Sequence, residues 1–204
     1  MCDVKSRLLT LDEAVVWKKS LESSGKRLVV TNGCFDIMHR GHASYLEGAR
    51  NIGDALLVLL NSDASVRALK GDSRPIVCEE DRAFMLNSLR CVDRVVIFNS
   101  QRCDKELAAL APEIYVKAGD YTVETLDADE RQALLSSGTQ IVFMPFVPGL
   151  STSNIIDKIK DFTDKFTNMS DGQKKAIVTI LGIVAVLSPL LISSSNSLLS
   201  SVLS

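Results

Sequence analysis

Arg27-Leu28-Val29-Val30-Thr31-Asn32-Gly33-Cys34-Phe35-Asp36-Ile37-Met38-His39-Arg40-Gly41-His42 is the stretch that decides how this chain folds. Residues 27–31 are an apolar run that predicts a strand, and a helical pattern runs from the histidines to about residue 51. His39 and His42 are the only histidines in the chain, spaced as H-x-G-H where the helix begins. A helix start offers N–H donors and partial positive charge, so two imidazoles there can converge on one anionic group such as phosphate. Phosphoryl chemistry asks for little beyond positioning and charge stabilisation, and paired imidazoles supply both. Two histidines can also decorate a turn by chance. Gly33 and Gly41, which let backbone approach a ligand, and the strand–loop–helix setting speak for the site.

Outward from this stretch, apolar runs alternate with amphipathic ones. Thr10-Leu11-Asp12-Glu13 fits a capping box, and Leu11, Val15, Trp17 and Leu21 form the stripe of an N-terminal helix within residues 1–26. Residues 55–61 read as a strand covered on both faces, with further strands at 94–98, 114–117 and 140–146. Helices are expected at 62–69, 79–90, 104–110 and 128–135, the second with Phe84, Met85 and Leu89 inward. Ser151 is placed to cap an amphipathic helix to about Phe166, with Ile155, Ile156, Ile159 and Phe162 on one face. The expected fold is α/β: a Rossmann-like, five-stranded parallel sheet with helices on both faces, spanning residues 27–166. Ligands in such folds sit beyond the carboxyl ends of the strands. The loops at 32–42, 61–63, 119–121 and 148–153 would therefore share one crevice.

The chain has 204 residues and a net charge of -2, with a pI of about 5.7, which leaves no electrostatic footprint for nucleic acid. Its five cysteines make no C-x-x-C pair, and residues 1–10 carry no secretory signal, so reduced thiols in the cytoplasm are expected. Cys34 reads as a small residue lining the loop, not a nucleophile. Beyond a linker from residue 167, no charge occurs at 176–204, and 176–192 is an almost wholly apolar helix preceded by Lys174 and Lys175. That helix is short of the roughly 20 residues of a bilayer span. Two readings stand for it: membrane contact, or burial against the domain or in the seam of a homo-oligomer. The Ser-rich end, 193–204, reads as weakly structured.

Neither the dinucleotide fingerprint G-x-G-x-x-G nor the Lys-bearing phosphate loop is present. With its H-x-G-H loop, the chain resembles the cytidylyltransferase-like nucleotidyltransferases, and within them the adenylyltransferase domain of ADP-heptose synthases. The likeness also runs through Asn61-Ser62-Asp63-Ala64-Ser65-Val66, Leu69-Lys70-Gly71-Asp72-Ser73-Arg74-Pro75 and Glu79-Glu80-Asp81-Arg82. It continues through Cys91-Val92-Asp93, Val116-Lys117-Ala118-Gly119-Asp120-Tyr121-Thr122-Val123-Glu124 and Ser151-Thr152-Ser153-Asn154-Ile155-Ile156.

The resemblance implies transfer of a nucleotide: a substrate phosphate attacks the α-phosphorus of a nucleoside triphosphate and pyrophosphate leaves. It implies that His39, His42 and Lys70 are the catalytic groups. Asn32, Gly33, Cys34, Phe35, Asp36, Gly41, Arg82, Ser151, Thr152 and Ser153 would bind nucleotide or phosphate. Asn61, Asp63, Gly119, Asp120 and Tyr121 would lie on the base or sugar side. Taken singly, Lys70 also reads as a helix-terminal lysine, Arg82 as half of a surface ion pair and Tyr121 as a packed aromatic. Asp36 and Asp120 also read as turn caps. The implied substrates are ATP, with its Mg²⁺, and a sugar 1-phosphate, D-glycero-β-D-manno-heptose 1-phosphate. Glycerol 3-phosphate or a related alcohol phosphate with CTP is the other enzymatic reading, and a membrane-attached or phage-derived scaffold the non-enzymatic one. Ala118 stands where the family has a second glycine, and Leu150 where an aromatic is common; both fall on the sugar side. The first strand starts at Arg27, so the sugar kinase that often precedes this domain is expected to be a separate protein.

Overall fold

The computed structural model describes residues 4–119, 121–145, 149–170 and 173. After a short 3-10 turn at Val4–Arg7, the elements run β1 (Leu8–Leu9), α1 (Leu11–Ser23), β2 (Leu28–Gly33), α2 (Arg40–Arg50) and β3 (Ala55–Asn61). They continue with α3 (Asp63–Lys70), α4 (Glu79–Asn87), β4 (Arg94–Phe98), α5 (Asp104–Leu110), β5 (Ile114–Ala118), α6 (Ala128–Ser136), β6 (Gln140–Met144) and α7 (Thr152–Thr167). The strands form one sheet in the order β1-β4-β3-β2-β5-β6, and every pairing is parallel. The five expected strands are β2 to β6. The sixth, β1, pairs with β4 over only two residues, too few to leave a pattern in the sequence. The proposed end of the last strand at Phe146 lies outside the described residues.

Period-two alternation divides the core. Leu28 and Val30 of β2, with Ala55, Leu57 and Leu59 of β3, face the helices α1, α5 and α6 through Ala14, Leu107, Leu110 and Leu134. Val29, Leu56, Val58 and Leu60 face α2 and α4 through Leu46, Ala49, Ala83 and Leu86. Because both faces are covered, β3 is buried at every residue. The capping box of α1 is present in both directions: Thr10 N–H donates to Glu13 Oε2 at 2.8 Å, and Glu13 N–H to Thr10 Oγ1 at 3.3 Å. From β2 the chain steps through α2 to β3 on one side, and from β5 through α6 to β6 on the other, across opposite faces. The loops after β2 and β5 therefore part at the carboxyl edge and leave a crevice.

One helix is turned differently from the sequence reading. In α4 the inward stripe is Arg82, Ala83, Leu86 and Asn87, whereas Phe84 and Met85 are 51% and 50% exposed. Leu89 does pack against the core. An arginine and an asparagine occupy half the inward stripe, so apolarity pointed to the wrong face. Two compact units divide between Thr152 and Ser153. No residue of α7 is buried, and Ile159 and Phe162 on its apolar face are exposed. Among the described residues no helix is long and apolar enough to cross a membrane. The apolar helix expected at 176–192 lies outside them. Leu86→Ala should cost about 2–5 kcal/mol in denaturant unfolding, and Met85→Ala less than about 1 kcal/mol. The reverse order would put Met85 back inside.

Candidate active site

At the carboxyl edge a cavity of about 340 Å³ opens between the loops that follow β2, β3 and β5. Of the sequence-predicted residues, Asn32, Gly33, Cys34, Phe35, Asp36, His42, Asn61, Lys70, Tyr121 and Thr152 line it. His39 adjoins it through His42: the rings stack with centroids 4.0 Å apart and planes 25° from parallel. His39 is the N-cap of α2, and its Nδ1 accepts from Gly41 N–H at 3.1 Å. An accepting Nδ1 leaves the proton of the neutral ring on Nε2. A Cβ on Gly41 would lie 2.9 Å from His39 Cε1 and 3.2 Å from Leu150 Cβ, so the glycine of H-x-G-H is a steric requirement. Backbone N–H groups at the helix start are less available than the sequence reading expected. Gly41 N–H is taken by the His39 ring and His42 N–H by His39 C=O at 3.0 Å.

Burial pulls the His42 pKa down to about 4, with the positive charges of His39 and Lys70 adding to it and Asp36 opposing. His42 is therefore neutral at pH 7. Its Nδ1 is buried without a partner, which leaves Nε2 as the ring atom that can serve the cavity. Phe35 packs edge-on against the ring at 5.4 Å. Lys70, in the last turn of α3, forms no ion pair among the described residues and is a cation available to an anion.

Asp36 anchors a neighbouring loop. Its carboxylate accepts from Arg74 Nε at 2.7 Å and from the N–H groups of Ile76 and Val77 at 3.0 Å each. Burial pushes its pKa up, but those amides and the Arg74 guanidinium outweigh burial and hold it below the usual carboxylate range. Phe35 and Ile37 on either side have φ of 46° and 50°, in the left-handed region that costs a non-glycine residue about 1–3 kcal/mol. Thr152 Oγ1 closes the loop from the other side by donating to Asp36 C=O at 2.7 Å.

Two expectations are corrected. Arg82 is neither a surface ion pair nor a cavity residue: it is 1% exposed and stands behind the wall. Its guanidinium donates to Val77 O (2.9 Å), Cys34 O (2.6 Å), Asn61 O (2.8 Å) and Asp63 Oδ1 (2.7 Å). Asp63 is accordingly the counter-ion of Arg82, not a wall of the base or sugar side. Asn61 is buried and donates from Nδ2 to Ser65 Oγ at 2.9 Å. Gly119, with φ of 114°, donates its N–H to Met144 O at 2.8 Å. Ser151 precedes α7 and Ser153 opens the second compact unit. Asp120 is outside the described residues.

Arg74, Arg102, Lys117 and Glu130 also line the cavity, and no role was read for them in the sequence. Lys117 Nζ donates to Asn32 Oδ1 at 2.9 Å and Tyr115 OH at 3.2 Å, and Tyr115 OH donates to the same Asn32 oxygen at 2.7 Å. Lys117 did leave a signal, as a charge closing an otherwise apolar strand. Glu130 left none, because a glutamate in an amphipathic helix looks like surface. Among the described residues no three His, Cys, Asp or Glu side chains group to hold a metal ion.

A neutral His42 ring stacked on His39, a lysine with no ion pair among the described residues and a helix start at the switch point of a parallel sheet make a site suited to a phosphate-bearing ligand. Comparison with known proteins carries this further. Residues 30–158 match the family model described as cytidylyltransferase-like. Bifunctional protein HldE of Geotalea uraniireducens is 46% identical over 158 residues, 78% of this chain and 32% of that protein. Bifunctional protein HldE of Pelobacter propionicus is 45% identical over 157 residues, 77% and 32% of the two chains. Bifunctional protein HldE of Helicobacter pylori strain Shi470 is 51% identical over 142 residues, 70% and 29%. The chain belongs to the cytidylyltransferase-like family and is a nucleotidyltransferase. It spans about a third of the length of the curated relatives it matches.

The His42 environment has a pH consequence with a definite sign. Its folded pKa of about 4 lies below the unfolded value of about 6.5, so the unfolded chain binds the extra proton between them. Stability from this group is complete above about pH 6.5 and is lost as pH falls towards 4. In a proton NMR titration of the ligand-free protein, His42 should hold its neutral shift down to about pH 5. A step between pH 6 and 7 at His42 would contradict the burial.

Proposed function

We propose that the chain transfers AMP from ATP to a sugar 1-phosphate, D-glycero-β-D-manno-heptose 1-phosphate, giving ADP-heptose and pyrophosphate. The observation that carries the reading is the stacked His39–His42 pair beside unpaired Lys70 at the mouth of the crevice, in a chain 45–51% identical to parts of HldE proteins. An oxygen of the acceptor phosphate attacks the α-phosphorus, the bond from that phosphorus to the α–β bridging oxygen breaks, and pyrophosphate leaves. The acceptor is already ionised at neutral pH, so no strong base and no covalent intermediate are needed.

The chain's own work is to grip and to orient. His39 and His42 would each present Nε2–H to triphosphate oxygens, where charge grows as the leaving group departs. Lys70 would add full charge at the same place. Mg²⁺, entering with ATP, would neutralise part of the pyrophosphate charge. Arg82 and Asp36 would act at one remove, by holding the loops that carry these groups. ATP as donor makes the cytoplasm the expected compartment.

A pyrophosphate-release assay over ATP and CTP, each with heptose 1-phosphate and glycerol 3-phosphate, tests the reading. Turnover should be highest with ATP and the heptose phosphate. A preference for CTP with glycerol 3-phosphate would replace it with the alcohol-phosphate cytidylyltransferase reading. His42→Ala should lower kcat by about 10²- to 10³-fold, the usual loss for one oxyanion donor. Unchanged kcat would remove the histidine from the mechanism.

A further inference from the structure

A second cavity, of about 200 Å³, adjoins the first. Arg102, Lys117, Tyr121, Thr125, Asp127 and Glu130 line it, and Arg102, Lys117, Tyr121 and Glu130 line both, so the two are continuous. Its charges come as opposite pairs: Arg102 Nε lies 3.1 Å from Asp127 Oδ2, and Lys117 Nζ lies 3.6 Å from Glu130 Oε2. Glu130 is 3% exposed and is fixed through its other oxygen, which accepts from Cys103 N–H at 3.2 Å and from the Cys103 thiol at 3.3 Å. At 3.6 Å the Lys117–Glu130 pair is not a hydrogen bond, so Oε2 keeps lone pairs for a ligand.

This lining suits one kind of occupant. A nucleobase needs apolar or aromatic faces to lie between, and among the described residues of the lining only Leu126 and the half-exposed Tyr121 offer them. A sugar hydroxyl both donates and accepts, so a polyhydroxylated ring is matched by carboxylates alternating with cations. We infer that the second cavity holds the hydroxyl-bearing ring of the acceptor, with Arg102, Asp127 and Glu130 as the residues that select it. The inference rests on the nucleotidyl-transfer reading of the main cavity and adds where the sugar sits. The acceptor's phosphate would then extend through the shared wall towards His42 and Lys70.

Steady-state kinetics of the whole chain, varying ATP and heptose 1-phosphate separately, distinguishes the subsites. Arg102 is 53% exposed on its side chain, so Arg102→Gln leaves the core untouched. Asp127 caps α6, and Asp127→Asn keeps a competent N-cap. Circular dichroism should report both variants as folded. Each should raise KM for the sugar phosphate by about tenfold, the loss of one hydrogen bond to a charged group, and leave KM for ATP and kcat within about twofold. A rise in KM for ATP instead, or no change in either KM, overturns the inference while the wild-type turnover still upholds nucleotidyl transfer. A wild-type protein that releases no pyrophosphate with any pair tried overturns both.

Discussion

The buried guanidinium of Arg82 holds three separate segments of chain at fixed spacing. Its hydrogen bonds reach Cys34 after β2, Asn61 at the end of β3 with Asp63 at the start of α3, and Val77 ahead of α4. Each of these segments lies at the end of a regular element or in a loop, and each carries or adjoins a wall of the cavity. A buried charge is tolerated only when its donors are met, and breaking such a pair costs about 3–5 kcal/mol. Arginine suits the position because its five donors spread over a rigid planar fork and reach Val77, Cys34, Asn61 and Asp63 together, whereas an ammonium has three donors on one atom. The wall thus keeps its shape through an interaction that never enters the cavity.

Asp36 completes this frame. It sits between two residues with left-handed φ, and its carboxylate ties the loop after β2 to Arg74, Ile76 and Val77. Left-handed non-glycine residues persist only where surrounding bonds over-determine them. Here the carboxylate, Arg82 at Cys34 O and Thr152 at Asp36 O hold the loop from three directions. The backbone that delivers His39 and His42 to α2 is rigid for that reason. A rigid loop matters because positioning supplies much of the rate in phosphoryl transfer.

The parallel sheet was legible in the sequence because strands buried on both faces read as unbroken apolar runs, and residues 55–61 are such a run. The H-x-G-H site was legible because its geometry is local: His39 caps its own helix, and Gly41 makes room for the ring two residues before it. Arg82, Lys117 and Glu130 were not legible, because their roles come from partners 48, 85 and 27 residues away. The inward face of α4 is hidden from sequence periodicity for the same reason. Arg82 and Asn87 belong inside only because distant carbonyls and carboxylates receive them there. Two-residue β1 is likewise visible only once β4 lies beside it.

The neutrality of His42 determines where the site's positive charge comes from. An imidazolium would be the obvious anion grip, yet burial and the neighbouring positive charges hold the His42 ring neutral at pH 7. Full charge comes from Lys70, which bonds to no carboxylate among the described residues, and partial charge from the start of α2. The histidines contribute directed N–H donors instead. For a triphosphate that division is advantageous. A fixed cation binds ground state and transition state alike, whereas a donor aimed at the bridging oxygen gains strength as negative charge develops there. The stacking of the two rings at 4.0 Å and the Nδ1 contact to Gly41 N–H fix the orientation of the pair. In the proposed reaction Lys70 would set affinity and the histidine pair would set rate, a division of roles that follows from their different burial.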